Sequence, residues 1–462
     1  MSFERATTMP FRAIVGGALL LVAAASASAQ ADARAADPRP NVVVIVADDL
    51  GSADLAICGA TDVATPHLDA LARSGARCTQ AYATAPVCAP SRAALLTGRY
   101  GQRFGFEFNQ GPPEAGNDTF GLPPDATTLA ERLRAAGYAT GLVGKWHLGT
   151  KPGQRPTERG FDEFFGFLDK ASAYDPKRRH RKAETRLLRG VEPVEEKGWL
   201  TPTLAREAAA FIDRHAARPF FLYLPFGAVH PPVQPDPALA ERVASIADPD
   251  RRAYANLIVG LDDAVGVVLE RLEAHGLGAN TLLFFTSDNG SIRHDGNAPL
   301  RGVKTQFLEG GLRVPLLLRW NGRIPAGVVF ERPVHLLDLA ATAATACGLA
   351  VPEHDGVDLV PFLAGAVATP PHAALFWRYG SRLAVRRGDW KLVRVAPGRA
   401  LSLFDLAADP RELRDLAEER PEQVAELLAA WEQWNATNVP SLWRGNEEFH
   451  EDQRAELGGD DR

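Results

Sequence analysis

The stretch NVVVIVADD, residues 41–49, is an apolar run rich in valine that ends in two aspartates. Continuous apolar runs of this kind are typical of strands that are buried on both faces of a sheet. Four similar apolar runs follow along the chain, and segments with helical apolar spacing lie between the runs. The alternation predicts an α/β fold, in which helices cover both sides of a large mixed, mostly parallel sheet. The similar runs are ATGLVGKWHLG (139–149), PFFLYLPFGAVHPP (219–232), TLLFFTSDNG (281–290) and VPLLLRW (314–320).

The chain after residue 368 has a different pattern. Short apolar segments joined by tight turns are followed by an amphipathic segment, which predicts a small antiparallel sheet with one helix packed on it. These segments are AALFWRYG (373–380), RLAVRRGDWKLVRV (382–395), LSLFDL (401–406) and PEQVAELLAAWEQW (421–434). The predicted divisions are a catalytic α/β domain at 41–368, a C-terminal antiparallel subdomain at 369–445 and a polar tail at 446–462.

The N-terminus has the features of a secretory leader. Two arginines precede the apolar run AIVGGALLLVAAA (13–25), and small residues follow it. This predicts a signal peptide at 1–29, cleaved near Ala29, a linker at 30–40, and export to the periplasm or the medium. The alternative is an uncleaved N-terminal anchor. No later segment is apolar enough to cross a bilayer, and the net charge of −6 argues against general binding of nucleic acid.

Acidic and amide side chains end two of the predicted strands. Asp48 and Asp49 follow the first strand, and Asp288 and Asn289 follow the strand TLLFFTS. In parallel sheets, ligands gather beyond the carboxyl ends of the strands. If the two strands are neighbours, four oxygen ligands converge, and such hard donors suit Ca²⁺, with Mg²⁺ as a second candidate. The alternative is that these residues only form turns.

Cys88 begins the segment CAPSRAALLTGR (88–99), in which Pro90 suits the first turn of a helix. A helix N-terminus favours anions and lowers the pKa of a thiol. A soft thiolate is nevertheless a poor neighbour for a hard cation held by carboxylates. The conflict disappears if residue 88 is not a thiol in the finished protein. Elsewhere, Cys58 and Cys78 could form a disulfide, which export permits.

Basic side chains also lie at or near the predicted strand ends. Lys145 and His147 alternate with Trp146, so we expect both to share one side of an extended segment. His230 precedes two prolines, and Lys304 lies before the fifth apolar run. Each could be an ordinary solvated side chain. Together around a metal, they suit a substrate with several anionic oxygens.

Taken in order, these segments resemble the formylglycine-dependent sulfatase family. The blocks VADDLG, CAPSRAALLTGR, GKWHLG, SDNG and PLRGVKTQFLEGGLRVP match the motifs of that family, and LSLFDLAADPREL resembles its C-terminal strand and turn. The resemblance covers nearly the whole chain after the leader. One departure is Asp415-Leu416, where the family often has Asn-Leu. The resemblance implies an alkaline-phosphatase-like fold and a sulfuric ester hydrolase of the arylsulfatase type.

The resemblance also implies the chemistry of residue 88. In the family, a maturing enzyme recognises the Cys-x-Pro-x-Arg stretch and oxidises its cysteine to Cα-formylglycine, which is hydrated. One hydroxyl of the hydrate attacks sulfur and the alcohol leaves; the second hydroxyl then loses its proton, and sulfate is expelled. Because the hydrate supplies oxygen, it would bind Ca²⁺. The implied metal ligands are Asp48, Asp49, Cys88, Asp288 and Asn289.

The family implies roles for the basic residues as well. Arg92 and Lys145 would hold the hydrate and its developing charge. Lys304 and His230 would bind the sulfate oxygens, and one of these two would protonate the leaving alcohol. His147 would accept the proton of the second hydroxyl. The expected substrate is a sulfated small molecule or glycan, with carbohydrate favoured and aryl sulfates compatible.

Two alternatives to this function come from the same residues. A phosphoester or phosphonate ester hydrolase of the same superfamily would generally use Thr or Ser, with Zn²⁺ bound by more histidines. An inactive secreted glycan-binding protein would lack part of the motif set. The inserted basic run KRRHRK (177–182) is expected to be a solvated loop; alternatively, it steers a sulfated polysaccharide toward the site.

Overall fold

The computed structural model describes Met1 and residues 39–111, 117–179 and 186–444. The predicted signal peptide, most of the linker and the polar tail lie outside the described residues. The strands are β1 (Asn41–Ala47), β2 (Ala76–Tyr82), β3 (Ala139–Lys145), β4 (Glu163–Phe167), β5 (Leu187–Arg189), β6 (Glu192–Val194), β7 (Phe220–Pro225), β8 (Thr281–Ser287), β9 (Arg313–Arg319), β10 (Val328–Phe330), β11 (Val334–His335), β12 (Leu375–Tyr379), β13 (Arg382–Arg387), β14 (Trp390–Arg394) and β15 (Ser402–Asp405).

The α-helices lie between and around these strands. They are α1 (Pro66–Ser74), α2 (Cys88–Thr97), α3 (Leu129–Ala135), α4 (Pro176–Arg179), α5 (Leu200–His215), α6 (Pro249–Ala274), α7 (His294–Asn297), α8 (Glu309–Leu312), α9 (Leu337–Ala346), α10 (Val360–Leu363) and α11 (Pro421–Asn435). Within the described ranges, no helix is both long enough and apolar enough to cross a bilayer.

The main element in the described part of the chain is a mixed sheet of eleven strands. Its order is β10-β2-β9-β8-β1-β7-β3-β4-β5-β6, and β11 also pairs with β2. Strand β1 lies at the centre and is buried throughout. Val42, Val44 and Val46 belong to the core on one face of the sheet, whereas Val43 and Ile45 belong to the core on the other face. The mixed, mostly parallel sheet with helices on both faces is therefore confirmed.

Four neighbouring strands run parallel, in the order β8, β1, β7 and β3, so their carboxyl ends meet at one edge. Strand β9 pairs antiparallel with β8, which explains why VPLLLRW does not deliver polar residues to this edge. Gly144 lies at the end of β3 with φ 133°. A Cβ at this position would lie 1.9 Å from the carbonyl oxygen of Pro225, so glycine lets β3 approach the end of β7 closely.

The second sheet is antiparallel, in the order β12-β13-β14-β15. Leu427 of α11 packs on one face with Val385, Leu392 and Leu403. Residues of the opposite face, including Trp377, pack against the loops and helices at the edge of the large sheet. The predicted small sheet and its helix are both present, while the division of the chain at residue 368 stays a prediction.

Candidate functional site

The acidic residues that end β1 and β8 lie together because these strands are parallel neighbours and Ala47 pairs with Ser287. The backbone N–H of Asp49 donates to Asp288 Oδ1 over 3.2 Å. The amide of Asn289 donates to Asp49 Oδ1 over 2.8 Å. Asp48, like these three residues, is buried. The structure thus brings the four predicted oxygen ligands to one point.

Three cations neutralise the three carboxylates of this group. Lys145 Nζ lies 2.7 Å from Asp48 Oδ2. Arg92 Nη2 lies 2.8 Å from Asp288 Oδ2 and 3.6 Å from Asp48 Oδ1. Lys304 Nζ lies 2.7 and 2.9 Å from the two oxygens of Asp49. All three cations therefore contact expected metal ligands. Lys304 differs from the other two because it also lies within reach of the side chain of residue 88.

The same environment moves the pKa values of two carboxyls in opposite directions. Burial raises the pKa of Asp48, although Lys145 acts against this. Burial also acts to raise the pKa of Asp288, but Arg92 and Lys145 outweigh it and lower the value to about 2. At neutral pH, Asp288 therefore stays ionised beside Arg92.

Cys88 is the first residue of α2, as Pro90 predicted, and it is buried. Its Sγ lies 3.5 Å from Asp48 Oδ1, 3.8 Å from Asp49 Oδ1 and 3.1 Å from Lys304 Nζ. The expectation of a lowered thiol pKa is wrong, because burial and the charge of Asp288 raise the pKa and outweigh the lowering effect of Lys145 and Lys304. An unmodified thiol here would stay protonated and unreactive. Cys58 and Cys78 are free rather than paired.

The two predicted histidines occupy different positions in the site. His147 is buried, with a left-handed φ of 62°. The extended segment therefore ends at Lys145, and the expectation that both residues lie on one strand face is wrong. Burial, followed by the charges of Lys145 and Arg92, keeps the pKa of His147 well below its ordinary value. His230 is partly exposed, and its Nε2 lies 3.7 Å from Asp49 Oδ2.

The donor set of the site fits a hard divalent cation. Ligand atoms of Asp48, Asp49, Cys88 and His230 lie within 4.8 Å of one another. Asn289 Oδ1 is buried and has no hydrogen-bond partner among the described residues. Carboxylate and amide oxygens are preferred by Ca²⁺ and Mg²⁺. The sulfur of Cys88 is the one soft donor in this set, and an oxygen-bearing hydrate at that position would remove the mismatch.

A supporting network beneath Asp49 was not predicted from the sequence. Asp49 has φ 63°, and its carbonyl oxygen lies 3.3 Å from the hydroxyl of Tyr254. That hydroxyl also donates to Asp54 Oδ2 over 2.8 Å, and Asp54 is ion-paired with Arg251 at 2.8 Å. The sequence could have suggested Asp54, because it is a third aspartate close after the VADDLG motif. Nothing in the sequence suggested that Tyr254, about 200 positions away, would join it.

The expectation that the basic run at 177–182 is a solvated loop holds only in part, because Lys177 and Arg178 are exposed but lie in the short helix α4. Arg179 is buried rather than solvated. Its guanidinium donates to the carbonyl oxygens of Ala173, Tyr174 and Gly198 over 3.0, 2.8 and 3.1 Å. The rest of the run from residue 180 lies outside the described residues. Steering of a polyanion by Arg179 is thus excluded by its burial.

Comparison with known proteins identifies relatives along almost the whole chain. Residues 40–349 match the sulfatase family model, and residues 303–433 match the model of the C-terminal part of N-sulphoglucosamine sulphohydrolase. N-acetylgalactosamine-6-sulfatase of Canis lupus familiaris is 35% identical over 411 residues, covering 83% of this chain and 76% of the relative. Arylsulfatase A of Bos taurus is 34% identical, covering 86% and 87%.

The solved structures agree with these relatives. A crystal structure of Ps i-CgsB in complex with k-i-k-neocarrahexaose superposes with a TM-score of 0.84. The two sequences are 32% identical, and the match covers 91% of this chain and 98% of that one.

Proposed function

This chain belongs to the sulfatase family and is a sulfuric ester hydrolase, and we propose that it cleaves a sulfate monoester of a carbohydrate with residue 88 as formylglycine. The observation that carries the proposal is the position of Cys88. It lies buried at the start of α2, between two carboxylates and Lys304. Its raised thiol pKa makes an unmodified cysteine a poor nucleophile.

The groups that complete the site are the hydrated formylglycine and Ca²⁺. The hydrate supplies an oxygen nucleophile, and Ca²⁺ supplies positive charge that favours its ionisation. Asp48, Asp49, Asp288 and Asn289 would hold the ion. The buried oxygen of Asn289, which has no partner among the described residues, supports this assignment.

Residues of the chain supply the remaining binding and proton-transfer roles. Lys304 Nζ, 3.1 Å from the sulfur of Cys88, is placed to bind a sulfate oxygen. His230 is partly exposed at the open side of the site and would protonate the departing alcohol, which leaves poorly as an alkoxide. His147 is neutral because its pKa is lowered, so it has a free lone pair with which to accept a proton. Lys145 and Arg92 hold Asp48 and Asp288 in place.

The substrate class is inferred from named relatives. One relative is an N-acetylgalactosamine-6-sulfatase, and the Ps i-CgsB structure contains a neocarrahexaose. Both names support a sulfated sugar as substrate. We also infer export, because residues 1–29 have the pattern of a signal peptide.

The test combines mass spectrometry with a comparison of esters. The protein is produced with a sulfatase-maturing enzyme, and the peptide that contains residue 88 is mapped. We expect the aldehyde at residue 88, and turnover of 4-nitrophenyl sulfate and sulfated oligosaccharides in proportion to its content. Faster turnover of 4-nitrophenyl phosphate would favour the phosphoesterase alternative. Binding of sulfated glycans without any turnover by fully converted protein would favour the glycan-binding alternative.

A further inference from the structure

The loop that carries His230 is held from outside the active site. His230 follows β7, and its Nδ1 lies 2.5 Å from the carbonyl oxygen of Pro231. A carbonyl can only accept, so Nδ1 carries the proton of this contact and Nε2 is the nitrogen that faces Asp49. The direction of Nε2 therefore depends on the backbone of residues 227–231.

Tyr174 is the side chain that reaches this backbone. The single hydrogen of its hydroxyl is shared between the carbonyl oxygens of Gly227 and His230, the latter at 2.8 Å. The ring is buried in the core beside the sheet. Both contacts are made to the two ends of one short turn, so the hydroxyl fixes the backbone on either side of it.

Arg179 in turn holds Tyr174. Two of its nitrogens donate to the carbonyl oxygens of Ala173 and Tyr174, and the same guanidinium reaches Gly198 and, over 3.4 Å, Glu196. Arginine suits this position because its planar fork carries five donors in fixed directions. Burial lowers the pKa of Arg179 to about 10, so it remains protonated at neutral pH.

We propose that Tyr174 and Arg179 are positioning residues for His230, and that they set the efficiency of proton delivery to the departing alcohol. The inference rests on the proposed role of His230 as the acid. Proton transfer depends steeply on distance, and a misplacement of about 1 Å can reduce a rate by about 100-fold. Arg179 thus acts through the peptide that carries Tyr174, and Tyr174 acts through the backbone that carries His230.

The role predicts a dependence on the leaving group. A phenol of low pKa leaves without protonation, whereas a poor leaving group needs the acid. We expect Tyr174→Phe to lower kcat/KM by about 10-fold or more for the poorest aryl sulfate leaving group, given the usual contribution of general acids. For 4-nitrophenyl sulfate the loss should be much smaller. A plot of log(kcat/KM) against the pKa of the phenol should therefore become steeper.

The experiment compares the unaltered protein with four variants, each normalised to its formylglycine content. His230→Ala should steepen the plot most, followed by Tyr174→Phe and Arg179→Lys. Tyr138→Phe is the matched control, because this tyrosine is also buried but precedes β3 at the other end of the parallel strands. Tyr138→Phe should give the same slope as the unaltered protein.

The possible outcomes distinguish the acid role of His230 from the positioning role of Tyr174 and Arg179. A uniform loss across all leaving groups in Tyr174→Phe, beside a steepened plot in His230→Ala, would overturn the positioning role and leave the proposed acid intact. An unchanged slope in His230→Ala would overturn the acid role of His230 and, with it, this inference. Parallel steepening in His230→Ala, Tyr174→Phe and Arg179→Lys supports both.

Discussion

Two groups of buried charges in the described part of the chain differ in what surrounds them. The first is the site cluster, formed by Asp48, Asp49, Asp288, Arg92, Lys145 and Lys304. The second is the interlayer cluster, formed by Glu309, Lys391 and Glu412. In the second cluster, Lys391 Nζ lies 2.9 Å from a carboxylate oxygen of each glutamate. Glu309 comes from α8 beside the large sheet, and Lys391 from β14 of the small sheet.

Both clusters place carboxylates against cations, and they differ in their access to solvent. All three side chains of the interlayer cluster are completely buried. In the site cluster, the Lys304 side chain is 12% exposed, and the neighbouring His230 side chain is 20% exposed. A closed group of charges can only hold segments together, whereas an open one can also bind a ligand. Buried charge by itself therefore does not identify an active site.

The largest effect on activity is expected from Cys88→Ala. Loss of a catalytic nucleophile typically costs a factor of about 10⁴ or more in turnover, while the fold should persist. The matched control is Cys78→Ala, which alters a buried cysteine of β2 that packs in the hydrophobic core. Turnover of 4-nitrophenyl sulfate and thermal unfolding are measured for both. Substantial residual turnover in Cys88→Ala would refute the proposed nucleophile.

The largest effect on stability is expected from Lys391→Met. Removal of one partner from a buried ion pair typically lowers the free energy of unfolding by about 3–5 kcal/mol, because the remaining charge is uncompensated. Lys304→Met should instead abolish most turnover, with a smaller loss of stability, because Lys304 is partly exposed. Urea unfolding and turnover are measured on both variants. If Lys304→Met were as destabilising as Lys391→Met, the distinction between the two clusters would fail.

Calcium should stabilise the protein through the site cluster alone. A ligand that binds only the folded state at 100 times its dissociation constant adds about 2.7 kcal/mol of stability. Chelation of calcium should therefore lower the unfolding temperature and stop turnover. Asp49→Asn should remove the calcium-dependent shift in unfolding temperature. Glu412→Gln, which likewise converts a buried carboxylate to an amide but in the interlayer cluster, should keep that shift.

An equal calcium response in Asp49→Asn and the unaltered protein would contradict the predicted ligand. The measurement needs no substrate, so it tests the metal site separately from the formylglycine. It can also be made on protein in which residue 88 is still cysteine.

The sequence was most informative where polar residues directly follow apolar strands that run parallel in the sheet. The polar residues after NVVVIVADD and TLLFFTSDNG met because parallel neighbouring strands end at one edge. The small antiparallel sheet followed from its alternating segments and tight turns. The family motifs, however, did not distinguish a catalytic residue from a structural one. Glu309 lies in the block that contains Lys304, yet it belongs to the interlayer cluster.

The remaining features depend on distances that the sequence does not contain. The thiol pKa of Cys88 is set by burial and by Asp288, which is 200 positions away. Arg179 looked like part of a solvated basic run, and only its tertiary contacts show that it is buried. Local sequence patterns thus fail to predict burial that is caused by contacts between residues far apart in the sequence.

The smallest expected effect concerns an ion pair that joins α9 to the segment before β12. His372 Nε2 lies 2.8 Å from Asp338 Oδ1. Burial acts to lower the pKa of His372, but Asp338 outweighs it, and the net shift is upward. A raised pKa in the folded state means that protonated His372 stabilises the protein. This contribution is complete below the unfolded pKa of about 6.5 and is lost as the pH rises through the folded pKa.

His372→Gln should therefore lower the free energy of unfolding by about 1 kcal/mol at mildly acidic pH. The difference from the unaltered protein should shrink as the pH rises, while turnover changes little because this pair lies outside the site cluster. Urea unfolding at pH 5.5, 7 and 9 measures the difference. A gap that widens with pH would mean that neutral rather than protonated His372 stabilises the fold, and the ion pair would then not be the source of the effect.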